Sequence, residues 1–408
     1  SINDYVRTHK SLFKNFDAVA FQLKTSGKLF YANFCFKTSS SASGDTIALW
    51  TVALDTLVFS KPQIVEGLAS ELRNIVAFDM AANMYFLDKS GTVAWKKKIK
   101  EKPIGQVYVI DYGNNLKKCF VFNTFSYIYL IDREGKDVAP FPLKLENNST
   151  GALTVVDYSG KKEYRIIVPC GKTIINILKD GTPAKGWAFG QAKSEIYKQV
   201  KHLVLGGDDY LLTSDKNGNI YILDRKGTVK VKPKVPVSAS FLGNFYIAES
   251  RKKKYFLTTD FNGGLVFISS SGEVEKMELK KYSPEHYFLY ADINGDNKKE
   301  VVIIDSSVVD VYDINLKPLC SYTLPGRSSG SPEIFDFSSF EIYIGVWCGN
   351  EKKVILLTGG CTVKAGFPMK GTSLFDVASL NNDGLFNLLV GDGCNLNNFS
   401  VGSVSAKK

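Results

Sequence analysis

The chain has 408 residues, of which 44% are hydrophobic and 23% charged, as is typical of a soluble globular protein with a large core or several domains. No apolar run approaches the about 18 residues of a membrane-spanning helix, which excludes a transmembrane span in this chain. The formal net charge of +10 comes from lysines scattered among turns, with no arginine-rich tail and no stacking-aromatic motif, so a nucleic-acid partner is not expected.

The N-terminal segment does not share the pattern of the rest of the chain. Residues 3–13 predict a short helix, and residues 18–23 and 29–36 alternate like two strands around a turn. Residues 39–45, with the sequence SSSASGD, have the composition of a linker. We interpret residues 1–44 as the tail of a preceding domain plus a linker, and residues 45–408 as a separate domain.

A strand, tight turn and strand repeat along the second domain, beginning with YFLDKSGTVAW at residues 85–95. Related stretches occur at residues 129–136, 221–229 and 266–274. The turn glycines are Gly91, Gly135, Gly181, Gly227 and Gly272, with Gly360 after one gap. Their steps of 44 to 46 residues indicate a repeat architecture.

Each repeat contains four predicted strands, which in the first complete unit lie at residues 60–66, 74–79, 83–88 and 92–98. Six more units begin near Gly105, Ala152, His202, Ser240, Phe288 and Glu333. The last unit has only three strands, and residues 47–54 match the missing fourth. Pairing of the two chain ends would close the ring and remove exposed sheet edges. The sequence therefore predicts an all-β, eight-bladed β-propeller closed by an N-terminal strand, with a seven-bladed ring as the alternative.

The turns of such blades divide between two faces of the ring. The first-to-second and third-to-fourth turns lie on one face (face A), and the second-to-third turns and interblade links lie on the other (face B). Predicted first-to-second turns carry basic clusters at residues 117–118, 161–162, 251–254, 298–299 and 352–353, the last before a predicted second strand, KVILL. Predicted second-to-third turns carry Asp79, Asp215, Asp260 and Asp305. We expect a basic face A and a more acidic face B, unless Asp is present as a turn former and Lys as an edge protector.

One loop is a candidate calcium site. Residues 292–300, DINGDNKKE, place oxygen-bearing groups at positions 1, 3, 5 and 9, a spacing that resembles the calcium loops of integrin-type propeller repeats. The predicted ligands are Asp292, Asn294, Asp296 and Glu300, with the backbone carbonyl of Lys298. Hard cations prefer six to eight such oxygens, but the same pattern also makes a good turn without an ion. Residues 379–387 repeat the spacing with one carboxylate, and we interpret them as a turn.

No catalytic constellation is visible. The histidines, His9, His202 and His286, lie in different units without a nucleophile or metal-ligand set beside them. Ser328 in GRSSG matches the GxSxG motif by letter, but no strand-turn-helix context surrounds it, so it predicts an interblade link. The seven widely spaced cysteines form no disulfide framework, and whether any of them pair stays open. Cys119, Cys170 and Cys348 are predicted to be buried.

The repeat LDKSGTVAWKKK resembles that of quinoprotein-like (PQQ-like) propellers, in which a tryptophan follows the turn glycine. Trp50 and Trp95 keep this position, whereas Trp187 comes two residues late. The chain looks more like non-enzymatic relatives, such as the propeller lipoprotein of bacterial outer-membrane assembly. Residues 132–145 and 376–390 resemble uncharacterised envelope propeller proteins of Bacteroidetes. No quinone is expected.

These resemblances imply a location in the bacterial envelope, on the periplasmic or cell-surface side of the outer membrane. They also imply membrane association through a partner or through an N-terminal anchor absent from this chain. We expect a non-catalytic protein-interaction scaffold, a subunit of an outer-membrane-associated complex. The alternative is a carbohydrate-binding, small-ligand-binding or catalytic propeller that uses the central channel, which would need polar groups with perturbed protonation at the channel mouth.

Overall fold

The described part of the chain is built from β-strands. The computed structural model describes residues 16–26, 29–38, 47–66, 73–113, 118–250, 253–338 and 341–403. The chain divides into two compact units, Ser1–Ile47 and Ala48–Lys408. In the first unit, β1 (Phe16–Ser26) and β2 (Leu29–Thr38) pair antiparallel, where the sequence predicted two strands. The helix predicted at residues 3–13 and the linker at 39–45 lie outside the described residues, and the domain boundary at residue 44 stays a prediction.

The second unit forms eight blades around a ring. Blade 1 contains β4 (Val58–Glu66), β5 (Arg73–Asp79), β6 (Asn83–Leu87) and β7 (Val93–Lys98). Blade 2 contains β8 (Pro103–Asp111), β9 (Lys118–Thr124), β10 (Tyr127–Asp132) and β11 (Leu143–Lys144). Blade 3 contains β12 (Thr154–Val156), β13 (Arg165–Cys170) and β14 (Thr173–Leu178). Blade 4 contains β15 (Lys201–Leu205), β16 (Asp208–Ser214), β17 (Ile220–Leu223) and β18 (Val229–Val231).

The remaining blades complete the ring. Blade 5 contains β20 (Tyr246–Ser250), β21 (Lys253–Thr259), β22 (Leu265–Ile268) and β23 (Val274–Met277). Blade 6 contains β24 (Tyr287–Ala291), β25 (Glu300–Asp305), β26 (Val308–Tyr312) and β27 (Pro318–Thr323), and the short β19 (Leu242–Gly243) joins its inner edge. Blade 7 contains β28 (Glu333–Ser338), β29 (Glu341–Cys348), β30 (Lys353–Thr358) and β31 (Met369–Lys370). Blade 8 contains β32 (Phe375–Ala378), β33 (Leu385–Asp392), β34 (Asn395–Ser403) and β3 (Trp50–Ala53).

The ring is closed by β3, which comes from the beginning of the domain and forms the outer strand of blade 8. It pairs antiparallel with β34, from Trp50 opposite Asn398 to Ala53 opposite Asn395. The Thr51 hydroxyl adds a 2.8 Å hydrogen bond to the side-chain oxygen of Asn397. Eight blades closed by an N-terminal strand are therefore confirmed, and the seven-bladed alternative does not apply.

Blade 3 departs from the predicted four-strand order. After β14 the chain makes a single bridge between Ile177 and Pro183 and then leaves the ladder. Proline has no N–H to donate to a strand, and the nearby Gly186 and Gly190 also disfavour an extended strand. This blade therefore lacks a regular fourth strand.

Two predicted strand positions are wrong. The fifth unit begins at Tyr246 and not near Ser240, because Leu242–Gly243 pairs in parallel with β24 of the following blade. In blade 7, the KVILL stretch forms the third strand, since Glu341–Cys348 is the second. Only residues 339–340 lie between the first two strands there, so the sequence pattern predicted a single strand in place of two. Lys352 and Lys353 consequently lie at a second-to-third turn, on face B.

The hydrophobic core lies between adjacent blades. The middle strands are apolar on both sides, and those of β25, Val301 to Ile304, are completely buried. Aromatic side chains join the sheets, as where Phe78 of blade 1 meets Phe122 of blade 2 with ring centroids 5.4 Å apart. Burial on both sides explains why these strands have continuous apolar runs in the sequence.

Tryptophan side chains pack over the turn glycine of the next blade, as Trp50 and Trp95 do. Gly91 has a φ of +86°, and a Cβ there would lie 2.8 Å from the Trp50 ring. The Trp50 indole N–H also donates to the Lys89 carbonyl oxygen at 3.1 Å. Trp95 packs over Gly135 in the same way, with a hypothetical Cβ 2.9 Å from its ring. The first contact joins blade 8 to blade 1 and so secures the closure.

A disulfide replaces this contact between blades 6 and 7. Cys320 lies on the outer strand of blade 6 and bonds to Cys361 in the third-to-fourth turn of blade 7. Cys361 has a φ of +59°, the left-handed conformation of the turn glycines. Cys320 stands four residues after Leu316, as Trp95 stands four residues after Gly91. The two cysteines thus hold the positions of the docking tryptophan and the turn glycine.

The sequence left cysteine pairing open and placed this turn glycine at Gly360, one residue too early. The N–H of Cys361, not that of Gly360, closes the turn by bonding to the Thr358 carbonyl oxygen at 2.9 Å. In blade 6, Leu316 occupies the same position with a φ of +66°, which accounts for the gap in the glycine series. Cys170 and Cys348 are buried, as predicted.

Candidate functional site

Face B carries an apolar patch where blades 1 and 2 meet. Leu57 and Phe125 are each 52% exposed, and Met80 is 42% exposed. Leu57 lies in the link before β4, whereas Met80 and Phe125 lie in the second-to-third turns of blades 1 and 2. We call these three residues, together with the partly exposed Phe59, the apolar patch.

Backbone contacts hold the patch in place. The Met80 N–H donates to the Leu57 carbonyl oxygen at 2.8 Å, and the Ser149 N–H donates to the Phe125 carbonyl oxygen at 2.7 Å. Lys102 lies beside the blade 1 part of the patch, because its Nζ lies 3.5 Å from the Met80 sulfur and 5.0 Å from the centre of the Phe59 ring. The preceding Glu101 accepts the Ser126 N–H at 2.7 Å and so ties this link to the turn of Phe125. The patch is therefore an ordered apolar surface with one cation, that of Lys102, beside it.

A cavity of about 480 Å³ continues the surface beyond Phe125. Its lining includes four polar side chains from two interblade links, which are Asn147, Asn148, Gln191 and Glu195. Amide side chains both donate and accept hydrogen bonds. An apolar patch with polar side chains at its edge is the usual composition of a protein-binding surface.

The inner strands of blades 1, 7 and 8 bring three charged side chains together. Lys61 Nζ lies 2.5 Å from Glu333 and 3.0 Å from Asp376. A bulge after Phe59, with Ser60 at a φ of +64°, changes the direction of β4 just before Lys61. β-Bulges are a common means of redirecting a side chain.

The charges within this cluster compensate one another. Burial opposes the charge of Lys61, but the Asp376 and Glu333 carboxylates outweigh it and raise the pKa of Lys61. Burial raises the pKa of Glu333 despite the nearby ammonium group. Asp376 also accepts the Ile64 N–H at 2.9 Å. Because the cluster lies on inner strands, it is relevant to the alternative prediction of a ligand in the central channel.

A second buried lysine, in the link between blades 3 and 4, is held by backbone oxygens. Lys198 Nζ donates to the carbonyl oxygens of Ser240 and Gly243, each at 2.6 Å. Burial lowers the pKa of Lys198 to about 7, while the two carbonyl groups stabilise its ammonium form. Lys198 thus joins the links on either side of blade 4.

The predicted calcium loop lies in the first-to-second turn of blade 6. The Asp292 carboxylate accepts the N–H groups of Gly295 and Asn297, each at 2.7 Å. Glu300 is buried and accepts the Ile293 N–H at 3.0 Å. Burial raises the pKa of Glu300, and the Asp296 and Asp292 carboxylates raise it further. In the described residues, no three carboxylate, imidazole or thiolate side chains form a metal cluster.

Other blades fold their first-to-second turn in the same way without this set of carboxylates. In blade 3, Asp157 accepts the Lys162 N–H at 2.7 Å, and Lys162 has the same φ of +64° as Asn297. In blade 8, the Asn387 side chain accepts the Leu380 N–H at 3.2 Å. This turn geometry does not require an ion, and calcium binding by the loop stays a prediction.

Calcium binding is tested by whether removing a loop carboxylate lowers or raises the stability of the protein. If the loop binds calcium, we expect added Ca²⁺ to stabilise the protein by about 2.7 kcal/mol at a hundredfold excess over Kd. Asp296→Asn would abolish this effect, whereas Asp157→Asn in blade 3 would preserve it. Unfolding with calcium and with a chelator measures the difference. An unchanged wild-type midpoint, with Asp296→Asn stabilised by the loss of repulsion on Glu300, would show an ion-free turn.

The predicted acidic face is wrong for Asp79 and Asp215, two of the four aspartates that suggested it. Asp79 and Asp215 are completely buried. Asp79 accepts hydrogen bonds from the Asn83 N–H, the Asn83 side chain and the Tyr85 hydroxyl. Burial would raise the pKa of Asp79, but these hydrogen bonds outweigh it and lower the pKa. Such carboxylates hold the turns together, as the alternative interpretation stated.

The basic turns of face A are partly neutralised. Lys118 pairs with Glu66 of the preceding blade at 2.8 Å, and Lys162 pairs with Asp111 at 2.9 Å. Each pair connects neighbouring blades. Exposed pairs of this kind contribute little to stability because water screens them, so their main effect is on the surface charge.

The histidines and the GxSxG match have local roles. His286 is completely buried, with its ring nitrogens 2.6 Å from the Ser283 carbonyl oxygen and 2.7 Å from the Thr259 hydroxyl. Ser328 lies in the link between blades 6 and 7, and its hydroxyl donates to the Gly330 carbonyl oxygen at 3.3 Å. The predicted link is confirmed. His9 lies outside the described residues.

No protein-family model and no curated protein matches the sequence. The fold is similar to that of BamB from Moraxella catarrhalis, with a TM-score of 0.57 and 15% identity, covering 87% of this chain and 99% of that chain. It is also similar to dihydro-heme d1 dehydrogenase NirN in complex with DHE, at a TM-score of 0.54 and 14% identity, covering 86% and 78% of the chains. BBS1N in complex with ARL6DN has a TM-score of 0.50 and 12% identity, covering 89% and 98%. These likenesses establish the propeller fold, which by itself supports many functions.

The described residues contain no helix long and apolar enough to cross a membrane.

Proposed function

We propose that this protein is a non-catalytic interaction scaffold that holds a protein partner on face B. The observation that carries the proposal is the apolar patch, in which Leu57, Met80 and Phe125 remain exposed on one ordered surface. Contiguous apolar surface of this kind marks interaction sites in soluble proteins. Methionine and aromatic residues are also enriched in interfaces relative to other surfaces.

The chemistry of the patch defines the partner. Lys102 lies among the apolar side chains, next to Met80 and Phe59. A partner that covers this surface must therefore present apolar side chains around a carboxylate, because an unpaired buried ammonium group is costly. The amide groups of Asn147 and Asn148 would bind the polar backbone of the same partner.

The bacterial envelope is the compartment we propose. The Cys320–Cys361 disulfide supports it, since disulfides persist in oxidising compartments and are rare in the cytosol. The resemblance to envelope propeller proteins supports the same location and an outer-membrane-associated complex.

A protein of similar fold also has a protein partner, since BBS1N is described in complex with ARL6DN.

The alternative is a ligand-binding or catalytic channel. The Lys61 cluster favours it, because it concentrates charge at the inner strands. Asp376 is held by Lys61 and by the Ile64 N–H, which leaves it poorly placed as a general base. We therefore prefer the scaffold.

Affinity capture from native membranes tests the scaffold when patch variants are included. We expect the wild-type protein to retain a stoichiometric partner and the double variant Met80→Ser and Phe125→Ser to lose it by at least about tenfold. The control is Val93→Ser with Leu319→Ser, which removes exposed apolar side chains from outer strands. Equal recovery with both double variants, or a wild-type monomer captured alone, would contradict the proposal.

A further inference from the structure

A cavity of about 280 Å³ lies on face A, where blade 3 lacks its fourth strand. Its wall is fixed by the irregular segment that takes the place of that strand. A Cβ at Gly227 would lie 3.0 Å from the Trp187 ring, and the Ala188 N–H donates to the Lys226 carbonyl oxygen at 2.7 Å. The Trp187 indole N–H donates to the Ile174 carbonyl oxygen at 2.8 Å. The cavity is therefore formed before any ligand arrives.

The lining is strongly basic. The lining contains one carboxylate, that of Glu163, and four cations, which belong to Arg165, Lys185, Arg225 and Lys226. Glu163 accepts a 3.2 Å hydrogen bond from the Ser159 hydroxyl. Within the described ranges, Arg165, Lys185 and Lys226 form no ion pair with a carboxylate. Asp209 pairs with Arg225 from outside the lining, so three cations remain against Glu163. This excess of positive charge in a confined space attracts an anionic ligand.

Arg225 is held in a fixed orientation. Its Nε donates to Asp209 at 2.6 Å, and its Nη2 donates to the same carboxylate oxygen. His202 lies 2.6 Å from the other Asp209 oxygen, and the Tyr158 ring lies 4.9 Å from the guanidinium carbon. An arginine positioned in this way does not lose side-chain entropy again when it binds a ligand.

Tyr158 supplies an unused hydrogen-bond donor beside the cavity. Its hydroxyl oxygen is buried and has no hydrogen-bond partner in the described part of the chain. A buried hydroxyl without a partner costs about 1–3 kcal/mol. Burial raises the pKa of Tyr158 to about 12, so the hydroxyl keeps its proton at neutral pH.

We propose that this cavity binds a phosphate monoester group. Its volume is near the lower limit of about 300 Å³ for small-molecule sites, which favours a compact dianion over an extended acidic peptide. Arginine is well suited to phosphate because its planar fork makes two parallel hydrogen bonds. The phosphate group belongs either to a soluble metabolite or to a lipid headgroup, and the site is separate from the apolar patch on face B.

Isothermal titration of the full chain tests the proposal with glycerol 3-phosphate and with inorganic phosphate. We expect saturable binding of glycerol 3-phosphate, weakened at least about tenfold by Arg165→Met through loss of a charged hydrogen bond. The matched control is Lys89→Met, which removes one exposed cation from face A outside the cavity and is expected to change affinity less than about twofold. Arg165 forms no ion pair in the described structure, so its variant is expected to unfold at the wild-type midpoint.

Two further arms identify the source of the phosphate. Binding to phosphatidylcholine vesicles only when they contain phosphatidic acid, with loss in Arg165→Met, would assign the site to a lipid headgroup. Binding of glycerol 3-phosphate without vesicle binding would assign it to a soluble ligand. The proposal is overturned if neither phosphate probe binds, if Arg165→Met and Lys89→Met weaken binding equally, or if only polyglutamate binds.

Discussion

Removing the Cys320–Cys361 disulfide is expected to lower the free energy of unfolding by about 4 kcal/mol. The bond joins positions separated by 41 residues, and the loop-closure entropy of an unfolded chain of that length gives this value. At this junction of blades 6 and 7, the disulfide takes the place of the contact between a tryptophan and a turn glycine. Denaturant unfolding of Cys320→Ser, monitored with a fluorescence probe and by circular dichroism, measures the loss.

The two substitutions of Cys361 provide a matched comparison. Cys361 has a φ of +59°, which costs an ordinary residue about 1–2 kcal/mol and glycine almost nothing. Cys361→Gly is therefore expected to be more stable than Cys361→Ser by about 1 kcal/mol, although both lack the disulfide. Equal stability of wild type and Cys320→Ser would contradict the bond, and equal stability of the two Cys361 variants would contradict the turn position.

Trp50→Ala is expected to destabilise the protein by about 3 kcal/mol and to open the ring. Large-to-small substitutions of tryptophan cost about 3–5 kcal/mol when the side chain is buried, and Trp50 is only half-buried. The substitution removes both the packing over Gly91 and the hydrogen bond to the Lys89 carbonyl oxygen. Hydrogen exchange is expected to become faster in β3 and β34, whose pairing forms the closure.

Trp95→Ala is the control for ring opening. Trp95 makes the same contact over Gly135, but between blades 1 and 2, which the chain itself connects. We expect a similar loss of stability without faster exchange in β34. Faster exchange of β34 in both variants, or in neither, would contradict the role of Trp50 in closure.

The architecture was predictable because the repeat spacing and the turn chemistry indicate the same units. The turn glycines recur every 44 to 46 residues, and the unpaired pattern at residues 47–54 predicted the closing strand. The predicted strand order was wrong where the sequence pattern did not separate two strands. In blade 7, only residues 339–340 lie between the first and second strands. The prediction also failed at Leu242–Gly243, since parallel pairing with a later strand has no local signal.

The disulfide could have been found by placing the repeats in register. Cys320 and Cys361 are 41 residues apart, as are Trp50 and Gly91. Counting cysteines could not reveal this, because the pair is recognisable only from its position in two neighbouring units. The same comparison would have moved the turn position of blade 7 from Gly360 to Cys361.

The candidate binding surface could not be derived from the sequence. Leu57, Met80 and Phe125 lie in a link and two turns of different units, and each alone is an unremarkable apolar residue. Their exposure and the hydrogen bond that joins Met80 to Leu57 appear only in the folded ring. The prediction of an acidic face B failed for the opposite reason. A turn aspartate such as Asp79 is expected to be exposed, but it is buried and its carboxylate accepts hydrogen bonds from Asn83 and Tyr85.

The central claim is that face B binds a protein partner, and site-specific photo-crosslinking in living cells tests it most directly. A photoreactive phenylalanine analogue would replace Leu57, Met80 or Phe125 in turn, with replacement of Val93 and Leu319 on outer strands as controls. We predict that the three patch positions crosslink to the same envelope protein and that the two controls do not. Crosslinking from the controls alone, or no adduct from any patch position, would contradict the claim.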